Sequence, residues 1–302
     1  MDSIGIVGAG RMGQALGRLL HDRGQPIAAI AGRNPERTAS AAAFINRNVL
    51  PVTYAELPRH AARILICVPD DALEDVAHIL ASKPHHISMA LHTCGSRGPE
   101  ALAGIQSRGA ACATLHPLQT ITTPAQGVAD LPGSSFGITG FGITGSPFEM
   151  NPALDWALDI VRLLEGHALT IAPENRPLYH AAAVMASNYV VAMIDAAVTL
   201  MRLAGVPQEP ALQALGPLIR ASVENGLRAG PVHALTGPIE RGDARTVAAH
   251  LRALDPPLDN VPESVRQLYR QAGLHAIDVA RRKTPAIDRG PIESLLCRGT
   301  SS

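Results

Sequence analysis

The sequence predicts an α/β protein: a mostly parallel sheet wound by helices over residues 1–172, then an all-helical domain over 173–302. Three observations predict it. Apolar, strand-like runs alternate with helical patterns as far as residue 171, the signature of parallel strands joined by crossover helices. The first strand-to-helix junction carries a glycine turn, GIVGAGRMG. After Pro173 the alternation stops and only helical periodicity remains. At roughly 150 residues per domain, a chain of 302 fits two domains.

Taken in order, residues 4–8 (IGIVG) form a strand and 10–20 a helix. The run 26–31 (PIAAIA) reads as a strand, 35–46 as a helix, 49–53 as a weak strand and 54–60 as another helix. Residues 63–68 (RILICV) have the unbroken apolar character of a strand buried on both faces, ended by Pro69. A helix over 70–81, a strand over 86–91, a helix over 98–106 and a strand over 110–115 follow. The tandem FGITGFGITG at 136–145 suggests two short strands or a hairpin and is too short for a solenoid. A helix over 154–165 and a strand over 167–171 complete the sheet. Beyond it, helices are expected over 176–203, 210–228, 243–254 and 262–282. Pro177 suits a first helical turn and Asp243 a cap. The tail from Lys283 is rich in Gly, Pro and Ser and is expected to fray.

Composition removes several function classes. Lys plus Arg is 26 and Asp plus Glu is 26, so the basic footprint of a nucleic-acid binder is missing. With 46% hydrophobic and 17% charged residues the chain is no disordered polymer. Aromatic residues, at 3%, are too few for a base-stacking platform or an aromatic cage. Four cysteines without a CxxC or HExxH spacing point to neither a disulfide framework nor a metal site. The start, MDSIGIVGAG, lacks the pattern of a signal peptide, and a reducing cytoplasm is the expected compartment. Residues 181–200 are long enough to span a bilayer, yet they contain Asp195, Ser187 and Asn188 and owe their apolarity largely to alanine. A buried helix of a soluble domain is expected there, and no membrane partner.

Gly8, Gly10 and Gly13 sit where a dinucleotide turn needs them, after an apolar strand and before an amphipathic helix. The first permits the tight turn, the second lets backbone approach a pyrophosphate, and the third lets the helix pack closely. Arg11 and Met12 lie between the second and third glycines, at the helix start whose N–H groups favour an anion. A doubly wound, Rossmann-type sheet binding a dinucleotide follows. Its second strand ends Ile30-Ala31-Gly32-Arg33-Asn34, with no acidic residue to hold a ribose hydroxyl. Arg33 is placed to pair with a 2′-phosphate, with Asn34 and Arg37 beside it, so the expected cofactor is NADP(H).

In such a sheet the ligand lies over the carboxyl ends of the strands. Val68-Pro69-Asp70-Asp71, Leu91-His92-Thr93-Cys94-Gly95 and Leu115-His116-Pro117-Leu118-Gln119 fall there, with Val68 and Pro69 over the cofactor. Hydride transfer builds charge on a heteroatom and needs a donor close by, a role that histidine fills near neutral pH. His116 is the first candidate because its strand is late in the sheet, and His92 the second. On the helix after the boundary His180, Ser187 and Asn188 share one stripe and are candidates to orient a substrate. Arg241, in a polar break between helices, is a candidate for a substrate carboxylate.

GIVGAGRMG, ICVPDDAL, LHTCGS, LHPLQT, YHAAAVMASNYVVA and LTGPIERGD together resemble a bacterial family of Rossmann-like proteins with a C-terminal domain of unknown function. The likeness runs over nearly the whole chain. More distantly the sequence is similar to pyrroline-5-carboxylate reductases, prephenate dehydrogenases and the 6-phosphogluconate/β-hydroxyacid dehydrogenases. The resemblance implies an NADP-type oxidoreductase fold and often a homodimer through the helical domain. His116 looks like the histidine of the His-Pro motif of prephenate dehydrogenases, which binds the substrate hydroxyl and assists hydride transfer. In β-hydroxyacid dehydrogenases a Lys precedes an Asn by four on the interdomain helix; here Asn188 fits but Val184 stands in the lysine's place. That leaves His116 or His180 as the proton donor.

The expected function is therefore an NADP(H)-dependent oxidoreductase acting on a small polar substrate in the cleft between domains. The alternative is a catalytically silent NADP(H) sensor or dimeric interaction protein.

Overall fold

The computed structural model describes residues 3–82, 86–140, 151–255 and 260–298. The strands are β1 (Ile4–Val7), β2 (Ile27–Ala31), β3 (Leu50–Val52), β4 (Arg63–Ile66), β5 (Met89–His92), β6 (Ala111–Pro117), β7 (Ser135–Gly140) and β8 (His167–Thr170). They form one sheet in the order β3-β2-β1-β4-β5-β6-β7-β8. All neighbours are parallel except β6 and β7, which run antiparallel, with His116 opposite Gly137. The order reverses between β1 and β4, so the crevice of a doubly wound sheet opens beyond Val7 and Ile66.

The first helices are α1 (Arg11–Asp22), α2 (Pro35–Ile45), α3 (Leu73–Ala81), α4 (Ala103–Gln106), α5 (Pro124–Asp130), α6 (Pro152–Leu163) and α7 (Arg176–Ala186). Leu16, Leu20, Ile45, Trp156 and Ile160 of α1, α2 and α6 build one core with Ile6 and Ile30. Val76, Leu80 and Ile105 of α3 and α4 build another with Val7, Ile64 and Ile66. Side chains alternate across a strand, so Ile6 and Val7 serve opposite cores and the centre of the sheet is buried on both faces.

Several elements differ from the sequence reading. Residues 54–60 give only a 3₁₀ turn, Leu57–Arg59, anchored by Leu57 alone. Helix α5 was not anticipated, although Thr123 caps it by accepting the Gln126 N–H and Pro124 opens it. The first half of the glycine repeat is β7; residues 141–145 lie outside those described. The helix expected over 176–203 is interrupted at Ser187, whose backbone leaves helical geometry (φ −124°, ψ −75°). Contacts divide the chain there, into Met1–Ser187 and Asn188–Ser302, one helix later than the expected boundary at 172.

The second unit holds α8 (Asn188–Leu203), α9 (Gln208–Ala229), α10 (Pro231–Ala234), α11 (Pro238–Arg241), α12 (Ala244–Leu254), α13 (Glu263–Lys283) and α14 (Gly290–Cys297). Asp243 caps α12 as expected, accepting the Thr246 N–H. Its cores are small: Val247, Leu251, Ile277, Ile292 and Leu296 in one, Leu254, Val261 and Val265 in the other. The buried helix expected over 181–200 is instead largely exposed. The stretch Pro173–Leu203 is long and apolar enough to cross a membrane by length and composition, yet only 6% of its most apolar window is buried. Asn188–Leu203 keeps Val198 inside, and apolarity alone did not secure cover within this chain.

Over residues 284–298 the tail does not fray as composition suggested; residues 299–302 lie outside those described. Arg289 is 2% exposed and donates from Nε to the Ile239 carbonyl at 2.9 Å and from Nη1 to those of Thr284 and Ile287 at 2.9 and 3.1 Å. That guanidinium ties the start of α14 to α11 and to the end of α13, and Ile292 and Leu296 are then fully buried. Arg289→Ala is expected to orphan these carbonyls and cost about 3 kcal/mol. Urea unfolding followed by circular dichroism measures the loss; a cost below about 1 kcal/mol contradicts the assignment.

Candidate cofactor and active site

The glycine turn has the geometry that its spacing requires. Gly8 sits at φ +106°, a conformation that side chains rarely adopt. A Cβ on Gly13 would meet the Gly8 carbonyl and approach Ile6 Cγ2 to 3.2 Å, so α1 packs on β1 only because residue 13 lacks one. Gly10 precedes α1 without a side-chain cap, and a Cβ there would meet open space. The α1 N-terminus thus keeps unpaired N–H groups beside bare backbone, which is what a pyrophosphate needs.

A groove of about 330 Å³ begins at this turn and is lined by Gly8, Gly10, Arg33, Arg37, Tyr54 and Val68, among others. Pro69 also lines it. Arg33 and Arg37 are exposed and make no ion pair among the described residues, leaving two cations at the tip of β2. Tyr54 was not foreseen: burial raises its phenol pKa, against the opposing charge of Arg33. The groove therefore fits an adenosine 2′-phosphate as well as a pyrophosphate.

Three expected cofactor residues are engaged otherwise. Asn34 lines the groove, but its Oδ1 accepts the Arg37 N–H at 2.8 Å and so caps α2. Arg11 turns its Nη1 to the Thr122 carbonyl at 3.4 Å. Met12 packs against the core. At a helix N-terminus it is backbone N–H groups that meet an anion, so these two side chains are free for other work.

The second group of residues gathers at the carboxyl ends of β4, β5 and β6 and on the first turns of α7. His116 Nδ1 lies 2.7 Å from the Tyr179 hydroxyl. The His180 ring stands edge-on to His116, centroids 6.0 Å apart. Both imidazoles close over Gly95: a Cβ there would stand 2.5 Å from His180 Cδ2 and 2.7 Å from His116 Nε2. The Tyr179 hydroxyl occupies the space a Cβ on Gly137 would need. Burial pushes the His116 pKa down to about 4, reinforced by the nearby charge of Arg176, so the imidazole is neutral at pH 7. Burial pushes the Tyr179 phenol up to about 12.

Arg176 holds this group together and was missed by sequence reasoning. It is 1% exposed, with Nη1 donating to Thr114 Oγ1 (3.0 Å) and Thr139 Oγ1 (2.8 Å). Its Nη2 donates to the carbonyls of Cys94 (2.9 Å) and Gly95 (3.0 Å). Tyr179 and His180 follow three and four residues later, on the same helical face. The only sequence signal was an arginine opening an apolar helix. Asp70, after β4, accepts a hydrogen bond from the Ser96 hydroxyl. Burial opposes its charge, but hydrogen bonds from Ser96 and Cys94 outweigh burial and hold the carboxyl below the usual range.

The remaining candidates have other partners within the first unit or belong to the second. His92 is fully buried, with Nε2 2.9 Å from the Gly98 carbonyl, and burial pushes its pKa down to about 4. It sits on an inner strand beneath the turn that follows, which puts it out of a substrate's reach. Ser187 donates to the Ala183 carbonyl at 2.7 Å, a bond back to its own helix. Asn188 opens α8 and Arg241 ends α11, both in the second unit and both exposed.

This sheet order, with its glycine turn at the switch point, defines a Rossmann-type dinucleotide-binding fold. Residues 3–92 match the family described as NADP oxidoreductase, coenzyme F420-dependent, and residues 139–276 match a domain of unknown function, DUF2520. The chain is thus similar to an NADP-oxidoreductase domain over residues 3–92 and to a DUF2520 domain over residues 139–276. No curated protein matches it. Among solved structures, a Thermotoga maritima protein is 22% identical with a TM-score of 0.69, over 93% of this chain and 99% of its own. A reductive aminase from Aspergillus terreus, in complex with NADPH and ethyl levulinate, is 18% identical with a TM-score of 0.65, over 98% and 99%. Plasmodium falciparum pyrroline carboxylate reductase with NADP bound is 16% identical with a TM-score of 0.58, over 94% and 97%.

Gly95 is the position where the cluster is most easily tested. Gly95→Ala is expected to leave the protein folded and able to bind NADPH while forcing both imidazoles aside, because overpacking of one methyl costs about 1–3 kcal/mol. Histidine side-chain NMR spectra read the displacement; spectra of His116 and His180 like those of the parent would contradict the geometry.

Proposed function

We propose that the protein is an NADP(H)-dependent oxidoreductase. It transfers hydride to or from a small polar keto/hydroxy or imine/amine substrate. The observation that carries this reading is the continuity of one carboxyl edge. The uncapped turn at Gly8–Gly10 and the unpaired Arg33 and Arg37 supply an NADP-shaped groove. On the same edge stand His116, Tyr179 and His180. His116 contacts the reacting heteroatom and His180 orients the substrate. The NADP-bound and NADPH-bound relatives support the cofactor assignment. Four free cysteines, three of them buried, support a reducing cytoplasmic setting.

The test has two arms. Calorimetry is expected to show NADPH binding in preference to NADH, with Arg33→Ala weakening NADPH about tenfold and NADH little, the loss of one charge-assisted contact. A panel of imines, keto acids and hydroxy acids is then expected to yield a turnover that His116→Ala lowers at least a hundredfold. Equal binding of the two cofactors, or turnover indifferent to His116, overturns the corresponding assignment. Binding without turnover across the panel favours the silent sensor.

The exposed helices belong to the same proposal. Val191 (66% exposed), Leu218 (63%) and Leu227 (84%) present an apolar surface on α8 and α9 that water would disfavour. A second copy of this chain is the occupant we assign, making a homodimer through the helical domain. Analytical ultracentrifugation is expected to show a dimer at micromolar concentration and a monomer for Leu218→Glu/Leu227→Glu. A monomeric parent, or one that stays in solution only with detergent, overturns the dimer, the latter in favour of a membrane surface.

A further inference from the structure

The hydrogen-bond inventory of the His116–Tyr179 pair fixes where the imidazole proton sits. The two groups touch through His116 Nδ1 and the Tyr179 hydroxyl, 2.7 Å apart, with ring centroids 5.5 Å apart and planes at 86°. Two proton arrangements satisfy that distance: the phenol donates to a bare Nδ1, or an Nδ1–H donates to the phenol oxygen. The second would leave the phenol proton without an acceptor, because no acceptor for the Tyr179 hydroxyl other than His116 Nδ1 is present among the described residues. The phenol oxygen already lies against the Gly137 backbone, whose hydrogen bond lowers the cost of negative charge there. A half-buried hydroxyl whose acceptor side is served and whose proton has a single outlet donates to that outlet.

The other ring nitrogen is in a different position. His116 Nε2 has no hydrogen-bond partner among the described residues, and it faces the bare backbone of Gly95, beside His180. We infer that Tyr179 is a positioning residue that locks His116 in the Nε2–H tautomer, so that a neutral imidazole presents one N–H donor to the substrate's heteroatom. The inference rests on the oxidoreductase reading for the identity of the acceptor, but the tautomer itself does not depend on it.

The surroundings favour the same state. The groups whose charges act on His116 are Arg176 and His180 of α7, Asp70 after β4 and His92 of β5. Burial opposes an imidazolium first, then Arg176; Asp70 is the group that favours one, and it is already engaged by Ser96. A proton on both nitrogens would also set N–H against O–H at the Tyr179 contact. His116 therefore acts by polarising a C=O or C=N bond as a donor, and it is not a store of acid at neutral pH.

The test reads the nitrogen directly in the full-length protein. With histidine labelled in ¹⁵N and His116 assigned through His116→Gln, the parent at pH 7 is expected to show one bare nitrogen, Nδ1, and one protonated nitrogen, Nε2. Tyr179→Phe removes the donor while keeping the ring. Its His116 is expected to become a mixture of tautomers, with a titration midpoint about one pH unit higher, the size of one hydrogen bond. Unchanged NADPH binding and thermal melting in Tyr179→Phe show that the change is local; if that variant does not fold, the tautomer of the parent still decides. An Nδ1–H tautomer, a charged His116 at pH 7, or a Tyr179→Phe spectrum like the parent's overturns the inference. Failure to bind NADPH or to turn over any substrate would instead strike the oxidoreductase reading and leave the tautomer result standing.

Discussion

The candidate site depends on one buried cation. Arg176 donates from Nη1 and Nη2 to two backbone carbonyls and two threonine hydroxyls, none of them charged. A buried charge without a bonded carboxylate is costly, and it persists here because four oriented acceptors replace water. Those acceptors come from the segment after β5, from β6 and from β7, so one side chain aligns three strand regions with the start of α7. This charge has a second effect. It stands close enough to His116 to oppose a second cation, and in a partly buried setting such an opposition is weakly screened. The residue that builds the site therefore reinforces what burial already imposes on its histidine, a neutral ring.

The cofactor groove and the histidine cluster obey different constraints. The groove is made by what is absent: no Cβ at 8, 10 or 13, no cap on α1, no acid at the tip of β2. The cluster is made by close contact, with Gly95 and Gly137 left bare so that three rings approach backbone. Asp70 connects the two. It follows Pro69, which lines the groove, and it receives Ser96 from the loop that carries Gly95. Its carboxylate partly offsets Arg176 at His116, but burial and Arg176 together prevail.

What could be read from the sequence follows this division. A turn between adjacent elements is local, so the glycine spacing gave the switch point of the sheet and its arginines. Alternation gave nearly all the strands for the same reason, and His116 was found because strand ends face the ligand. Arg176 and Tyr179 could not be found that way, because their partners lie 37 to 82 residues away and only the fold brings them together. The same holds for Arg289, whose Ile239 acceptor lies 50 residues back and turns a Gly/Pro/Ser-rich tail into a docked helix. His92 was overestimated for the converse reason: it also ends a strand, but one flanked by strands on both sides and roofed by the turn that accepts its proton. The exposed apolar helix marks a further limit, since composition states that a surface must be covered and not by what.

A neutral donor makes different demands on the two kinds of substrate in the proposed class. An iminium ion arrives with its proton, and hydride transfer to it yields a neutral amine, so the enzyme need only orient the bond. A ketone becomes an alkoxide and must receive a proton, which a neutral imidazole surrenders with difficulty because its N–H is a far weaker acid than that of an imidazolium. Val184 deepens the contrast, because it stands where a lysine would supply that proton in the hydroxyacid enzymes the sequence resembles. The Asp70 carboxylate, held below the usual range by Ser96 and Cys94, is a negative group whose charge reaches His116 and would attract a cation. Within the proposed class, the charge pattern around His116 therefore asks less of the protein when the acceptor is C=N than when it is C=O.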